Sequence, residues 1–269
     1  MFIFKVTADL SRTNEELETI YDDFANVSGT YFKSGQVLAD WEPVYFAGET
    51  LVWMTQTLEK TSFARKNDSC YVRRFRERFE KRFDTKLKFE LKGENPCEAN
   101  ACQCEAPSKY VLFTNYNKLG PPLVCADCGY DVPLYRIPKP PLPPRNERSK
   151  YPEERDYYAI LGWERRYQNC DSLQMACGLG ERWATRQMSD FHSELTREGR
   201  EIATKIEART GIPTFYYLYD YRHVSHIQNL REACPACGKT WVQFPEAEWC
   251  FDLWCDACRL VKNLTFNPR

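Results

Sequence analysis

The chain has 269 residues, a formal net charge of −1 and thirteen cysteines. Its apolar fraction of 43% is too high for a disordered protein, and no run of about eighteen apolar residues indicates a membrane span. The length allows one large domain or two to three smaller ones. Because the N-terminus lacks the pattern of a secretory signal, we expect a cytoplasmic protein whose cysteines bind metal and do not form disulfides.

The first predicted elements are a strand over 2–8 and a helix. Thr13-Asn-Glu-Glu16 resembles a capping box, in which Thr13 caps the helix and Glu16 reaches back. Apolar side chains then recur at helical spacing to about Val27, and Gly29 is expected to end the helix. Extended segments are expected over 30–38 and 43–57, the second with a turn at its glycine.

A second helix is predicted from aromatic side chains at every fourth position, Tyr71, Phe75, Phe79 and Phe83. Apolar and charged residues alternate over 86–92, which predicts a strand with one solvent-exposed face. The succession strand, helix, strand, strand, helix, strand is typical of a split β-α-β, ferredoxin-like domain. We therefore predict an α+β protein whose N-terminal domain, residues 1–95, has this fold.

Charge is distributed unevenly within this predicted domain. Residues 1–60 carry four basic and ten acidic side chains, a net charge of −6, whereas residues 65–92 carry eleven basic and five acidic ones, a net charge of +6. The two segments are either complementary faces of one domain or a basic surface for an anionic partner. In the second case the candidate nucleic-acid-binding residues are Arg73, Arg74, Arg76, Arg78, Lys81, Arg82, Lys86 and Lys88.

A first cysteine group lies in residues 96–137, which we predict to be a zinc-binding subdomain. It consists of the pair Cys102-Gln-Cys104 and the pair Cys125-Ala-Asp-Cys128, with a strand expected between them over 109–115. A glycine follows Cys128 and permits the left-handed backbone that such turns often need. Cys97 lies close enough in sequence to replace Cys102, and this alternative remains open.

The middle of the chain separates the two cysteine groups. The proline-rich segment 138–150 is predicted to be a semi-rigid linker. Residues 151–229 are predicted to be helical, with helices over 153–168 and 180–209, followed by an aromatic strand over 215–219. We expect this strand to be buried; a platform on which nucleic-acid bases stack is the alternative.

The second cysteine group gives the strongest signal. Residues 230–269 contain Cys234-Pro-Ala-Cys237 and Cys255-Asp-Ala-Cys258, a spacing typical of a four-thiolate zinc ribbon. Such a site has no open coordination position, so it stabilises a fold and does not hydrolyse substrates. With the first group, the sequence predicts two structural zinc ions per chain.

Three segments of the second half resemble a known family. They are residues 206–219 (IEARTGIPTFYYLY), 234–238 (CPACG) and 251–261 (FDLWCDACRLV), and the opening residues 1–4 (MFIF) are similar too. The family is an uncharacterised bacterial one whose description combines a zinc ribbon with nucleic-acid binding. The resemblance implies an intracellular protein with a C-terminal ribbon, and implies little about activity because a fold does not fix a function.

The known catalytic motifs are missing, so we expect neither enzymatic activity nor a small-molecule substrate. Two functions are compatible with the sequence. The first is a nucleic-acid-binding module directed to RNA or the ribosome. The second is a protein-interaction adaptor, such as an immunity-like protein or an assembly subunit, in which zinc ribbons are structural staples. Its interface would comprise the acidic segment 1–60 and the tryptophans Trp241, Trp249 and Trp254.

Overall fold

The computed structural model describes residues 1–40, 42–96, 99–139, 156–222, 226–243 and 251–264. The predicted α+β class is confirmed, with ten strands and six α-helices in these ranges. None of these helices combines the length and the apolar composition needed to cross a membrane. The chain forms two compact units, each assembled from several segments. Unit 1 comprises Met1–Ala101, Leu119–Pro121 and Asp131–Tyr158, and unit 2 comprises Cys102–Lys118, Pro122–Tyr130 and Ala159–Arg269.

Unit 1 contains a four-stranded antiparallel sheet in the order β2-β3-β1-β4. The predicted succession of strands and helices is found. Its elements are β1 (Phe2–Asp9), α1 (Leu17–Lys33), β2 (Val44–Ala47), β3 (Thr50–Thr57), α2 (Cys70–Arg82) and β4 (Lys88–Glu94).

An aromatic core joins the sheet and the two helices of unit 1. The ring of Phe24 on α1 packs edge-on against Trp53 of β3 and against Phe79 of α2, with centroid distances of 5.7 and 5.5 Å. All three side chains are buried. The helical aromatic stripe seen in the sequence therefore supplies the contact face of α2.

The predicted start and end of α1 are wrong. Thr13 does not cap the helix, because its Oγ1 accepts a hydrogen bond from the Glu15 amide instead. The helix continues through Gly29 to Lys33, so the extended segment expected from residue 30 begins as helix. Tyr31 in the added turn is buried in the core, and its burial outweighs the roughly 1 kcal/mol that a glycine costs within a helix. Gly35, at φ 70°, supplies the left-handed turn after the helix.

Unit 2 contains a six-stranded sheet among its described residues, in the order β6-β5-β7-β10-β9-β8. The central strand β7 is parallel to both β5 and β10. The strands are β5 (Tyr110–Leu112), β6 (Leu123–Cys125), β7 (Thr214–Tyr217), β8 (Val242–Gln243), β9 (Leu253–Cys255) and β10 (Leu260–Lys262). The sequence predicts four separate segments after residue 95, namely 96–137, 138–150, 151–229 and 230–269. In the structure, β7 pairs with both β5 and β10, so the two cysteine-rich segments belong to one sheet.

Four helices accompany this sheet, namely α3 (Tyr158–Met175), α4 (Glu181–Ser189), α5 (Glu194–Thr210) and α6 (His226–Arg231). The single helix predicted over 180–209 is therefore two helices. The chain becomes extended at Asp190, whose carboxylate accepts the His192 amide at 2.8 Å. Ser193 then caps α5 by accepting the Thr196 amide at 3.1 Å. A local capping signal thus interrupts an otherwise continuous apolar periodicity.

The aromatic strand β7 is buried, as expected, and cannot serve as a stacking platform. Phe215 and Tyr216 are both completely inaccessible to solvent. Helix α5 approaches this strand closely at Gly199, where an added Cβ would lie 2.2 Å from the Tyr216 ring. The proline-rich linker predicted over 138–150 lies outside the described residues from position 140 onward.

Candidate metal centres

The first cysteine group forms a compact tetrad. The sulfur atoms of Cys102, Cys104, Cys125 and Cys128 all lie within 4.8 Å of one another. Strand β6 ends at Cys125 and the chain turns sharply, since the Gly129 amide donates to the Cys125 carbonyl at 2.8 Å. Cys102 belongs to this tetrad. Cys97, the alternative ligand considered above, lies outside the described residues.

The second cysteine group forms a tetrad of the same kind. The sulfur atoms of Cys234, Cys237, Cys255 and Cys258 also lie within 4.8 Å of one another. The turn after Cys234 repeats the first centre, because the Gly238 amide donates to the Cys234 carbonyl at 2.8 Å. The glycines after Cys128 and Cys237 adopt nearly the same left-handed conformation, with φ values of 70° and 71°.

The donor set suits a tetrahedral metal ion. Zinc–sulfur bonds of about 2.3 Å place the sulfurs of a tetrahedral site about 3.8 Å apart. The Cys237 and Cys255 sulfurs are 3.7 Å apart. The eleven cysteines in the described ranges are all reduced thiols. Each tetrad could therefore hold one metal ion with four sulfur ligands.

The thiols of these tetrads differ in their acidity. Burial raises the pKa of Cys102 and of Cys255 to about 11. At the surface, the backbone amide of Lys239 lowers the pKa of Cys237 to about 7. Because a metal binds thiolates, it must displace protons from the buried members, and acid is expected to weaken metal binding.

Several of the proposed nucleic-acid-binding cations are neutralised by the acidic N-terminal segment. Arg82 contacts Asp23 at 2.7 Å and Glu15 at 3.4 Å. Arg78 lies 4.0 Å from the same Asp23 carboxylate. These pairs favour the first explanation of the uneven charge, in which the two segments are complementary faces of one domain.

A second carboxylate neutralises two further cations of the basic segment. Glu80 is 5% exposed and binds Arg76 at 3.1 Å and Lys86 at 2.9 Å. Arg76 is also held over the Phe89 ring at 5.0 Å. The remaining four candidates are exposed and form no ion pair with a described residue. They are Arg73, Arg74, Lys81 and Lys88.

A buried charge network that the sequence motifs do not indicate lies beside the second tetrad. Lys262 is only 4% exposed, and its ammonium donates to Asp220 at 3.0 Å and to Glu232 at 2.6 Å. Arg222 contacts both carboxylates, at 2.7 and 2.6 Å. The only signal in the sequence is a lysine at the end of the apolar strand Leu260–Lys262. The network links β10 to the segment that enters the turn of Cys234.

Two of the tryptophans proposed as an interface belong to the core. Trp241 is 6% exposed, and the Lys262 ammonium lies 5.7 Å from its ring. Trp254 is 5% exposed and packs edge-on against Phe215 at 4.8 Å. Both are therefore wrong as interface residues. Trp249 lies outside the described residues.

The fold and its sites define a protein with two cysteine tetrads attached to one sheet, together with a β-α-β-β-α-β unit. Residues 104–219 match the family model described as Domain of unknown function (DUF2310), and residues 224–268 match a second, Domain of unknown function (DUF8594). The chain belongs to the DUF2310 family, which agrees with the uncharacterised bacterial family expected from the sequence.

Two relatives from Haemophilus influenzae are similar over much of their length, and both are described as uncharacterised proteins. One is 29% identical over 238 residues, which is 87% of each chain. The other is 31% identical over 179 residues, which is 66% of this chain and 82% of the relative. No solved structure matches the chain.

Proposed function

We propose that the protein is a non-catalytic protein-interaction module in which two structural zinc ions stabilise unit 2. Zinc is the metal that suits four cysteine sulfurs in a closed tetrahedral arrangement. The proposal places the protein in a reducing compartment such as the cytoplasm, where thiols remain available to the metal.

The observation that carries the interaction role is a set of exposed apolar side chains within the short stretch of chain where α3 leads into α4. Leu179 is 97% exposed, Trp183 59% and Met175 51%. Leu173, at 38% exposed, lies beside Gly180, 3.8 Å from the position of an added Cβ there. Large exposed apolar side chains that lie together mark interaction surfaces, and tryptophan is enriched among residues that dominate binding energy. We call these four residues the α3–α4 surface.

Charge indicates the kind of partner that this surface accepts. Arg182 lies beside Trp183, is exposed, and forms no ion pair with a described residue. An apolar segment of another protein that carries an acidic side chain would cover the α3–α4 surface and pair with this guanidinium.

Nucleic-acid binding through residues 73–88 receives less support. Four of its eight candidate cations are held by carboxylates of unit 1, and phosphate binding needs several uncompensated cations. The α3–α4 surface offers mainly apolar area, which suits a protein partner better than a phosphate backbone.

A photo-crosslinking amino acid at position 179 of the full chain tests the interaction role. We expect a protein adduct that survives nuclease treatment and that disappears in the Trp183→Ala variant. The same crosslinker at Tyr45, a 47% exposed aromatic position in unit 1, is the matched control and should give no such adduct. Crosslinks to nucleic acid, or equal adducts from positions 45 and 179, would overturn the proposal.

A further inference from the structure

We propose that a pocket beside the second cysteine tetrad binds a phosphate group, a role that goes beyond the interaction module proposed above. The pocket has a volume of about 480 Å³. Three arginines, Arg197, Arg200 and Arg259, line it together with Cys258 of the tetrad. That volume is within the range of small-molecule sites, roughly 300–1,000 Å³, so the site can accept a phosphorylated molecule larger than inorganic phosphate.

Helix α5 directs two of these arginines toward the pocket. Arg197, Arg200 and Thr204 follow one another at three- and four-residue spacing, which places them on one face of the helix. Arg197 is exposed and forms no ion pair with a described residue. Its charge is therefore available to a ligand.

Arg200 is held in a fixed position with an unused donor. Its guanidinium carbon lies 3.9 Å from the centre of the Phe191 ring, a stacked arrangement that restricts the side chain. Its Nε atom is buried and has no hydrogen-bond partner. The Arg200 side chain forms no hydrogen bond or ion pair with a described residue, so its guanidinium charge is available to an anion in the pocket.

Among the charged side chains that line the pocket, unpaired arginines outnumber carboxylates. Glu201 is the one carboxylate among the described lining residues. Arg259 forms an ion pair with Glu207 at 3.0 Å. Glu207 therefore neutralises its charge, and Arg259 adds little to the net positive charge of the pocket lining. The two positive charges of Arg197 and Arg200 thus outnumber the one negative charge of Glu201 among the lining side chains. A planar, stacked guanidinium beside a second arginine is a common way to recognise phosphate.

Neutralisation of the metal centre is the competing explanation for these arginines. A tetrathiolate zinc site carries two negative charges, and Cys258 reaches the pocket wall. If the arginines served only that purpose, their removal would weaken zinc binding and leave phosphate affinity unchanged. Zinc content and phosphate affinity must therefore be measured on the same variants.

Calorimetric titration of the zinc-loaded full chain at low salt tests the proposal, with inorganic phosphate, ADP and a short single-stranded RNA as separate probes. We expect saturable binding of ADP or of the RNA, and the probe that binds identifies the source of the phosphate. Arg200→Met should weaken that binding at least about tenfold. Arg200→Lys should recover only part of it, because lysine keeps the charge and loses the planar fork.

Arg231→Ala is the matched control, since Arg231 is also an exposed arginine of unit 2 and lies on α6, outside the pocket lining. It should bind the same probe as tightly as the unmodified chain. All variants should retain the zinc content of the unmodified chain. The proposal is wrong if no probe gives saturable binding, if Arg200→Met and Arg231→Ala have equal affinities, or if Arg200→Met loses zinc while affinity per folded chain is unchanged.

Discussion

Unit 1 packs an aromatic core beneath strands of up to eight residues, whereas unit 2 pairs strands of only two to four residues and places a cysteine tetrad at each of two turns. Long strands bury much apolar area and form many ladder hydrogen bonds, so they stabilise a sheet themselves. Short strands form few such hydrogen bonds, and metal–sulfur bonds can supply the stability that the short strands lack. In the described part of unit 1 there is no cysteine tetrad. The comparison therefore predicts different responses of the two units to the same treatment.

Removal of the metal should give the largest difference in response between the two units. Structural zinc contributes roughly 10–16 kcal/mol of apparent binding free energy in isolated zinc fingers. A strong chelator should therefore abolish hydrogen-exchange protection in β5, β6, β9 and β10 of unit 2, while β1 and β3 of unit 1 keep theirs. Equal loss of protection in both units, or none in either, would contradict the comparison.

A substitution in the aromatic core of unit 1 should destabilise unit 1 and leave the metal sites of unit 2 intact. Phe79→Ala removes a buried ring that packs against Phe24 and Phe83 in unit 1. We expect a loss of about 3–5 kcal/mol in the free energy of unfolding of unit 1, measured by urea titration, with metal content unchanged. Tyr21→Ala, which truncates a 46% exposed aromatic side chain on α1, should cost less than about 0.5 kcal/mol.

Loss of the buried charge network should destabilise only the strands next to the second tetrad. Lys262→Met leaves the carboxylates of Asp220 and Glu232 without their shared buried ammonium. Loss of one member of a buried ion pair typically costs about 3–5 kcal/mol. Hydrogen exchange in β9 and β10 should accelerate, while exchange in β1 remains unchanged. Lys239→Met, at an exposed lysine outside the network, should leave all of these rates unaltered.

The smallest expected effect concerns pH and unit 1. Burial raises the pKa of Glu42 from 4.5 to about 7, and one of its oxygens has no hydrogen-bond partner. Because the folded-state pKa lies above the ordinary value, the carboxyl is neutral at low pH at no cost, and folding is penalised as pH rises from 4.5 through 7. Glu42→Gln should therefore raise the melting temperature at pH 8 by a few degrees, and not at pH 4.5.

Glu49→Gln, at an exposed position in the neighbouring turn, is the control for this pH experiment. It should shift the melting temperature equally little at both pH values. A Glu42→Gln variant whose melting temperature differs from that of the unmodified chain by the same amount at pH 4.5 and pH 8 would show that Glu42 ionises normally.

Local patterns made much of unit 1 predictable. The four-residue spacing of Phe75, Phe79 and Phe83 placed α2, and the alternation around Phe89 placed β4. The end of α1 escaped prediction because a glycine looked like a stop signal, whereas the burial of Tyr31 depends on tertiary packing that no local window contains.

The cysteine spacings identified both tetrads in unit 2, because metal ligation imposes short and regular separations. Its sheet could not be foreseen, since β5 and β7 pair across about one hundred residues and each is only three to four residues long. The ion pair of Asp220 and Lys262 joins residues 42 positions apart for the same reason. Long-range pairing of short segments leaves little trace in a single sequence.

Native mass spectrometry of the full chain counts the metal ions that each folded molecule holds, and so tests directly whether both cysteine tetrads bind zinc. We predict two zinc ions per chain, one in Cys237→Ser, and two in Cys177→Ser, where the substituted cysteine is also exposed and belongs to neither tetrad. A chain that binds no zinc, or a Cys237→Ser variant that retains two zinc ions, would contradict this prediction.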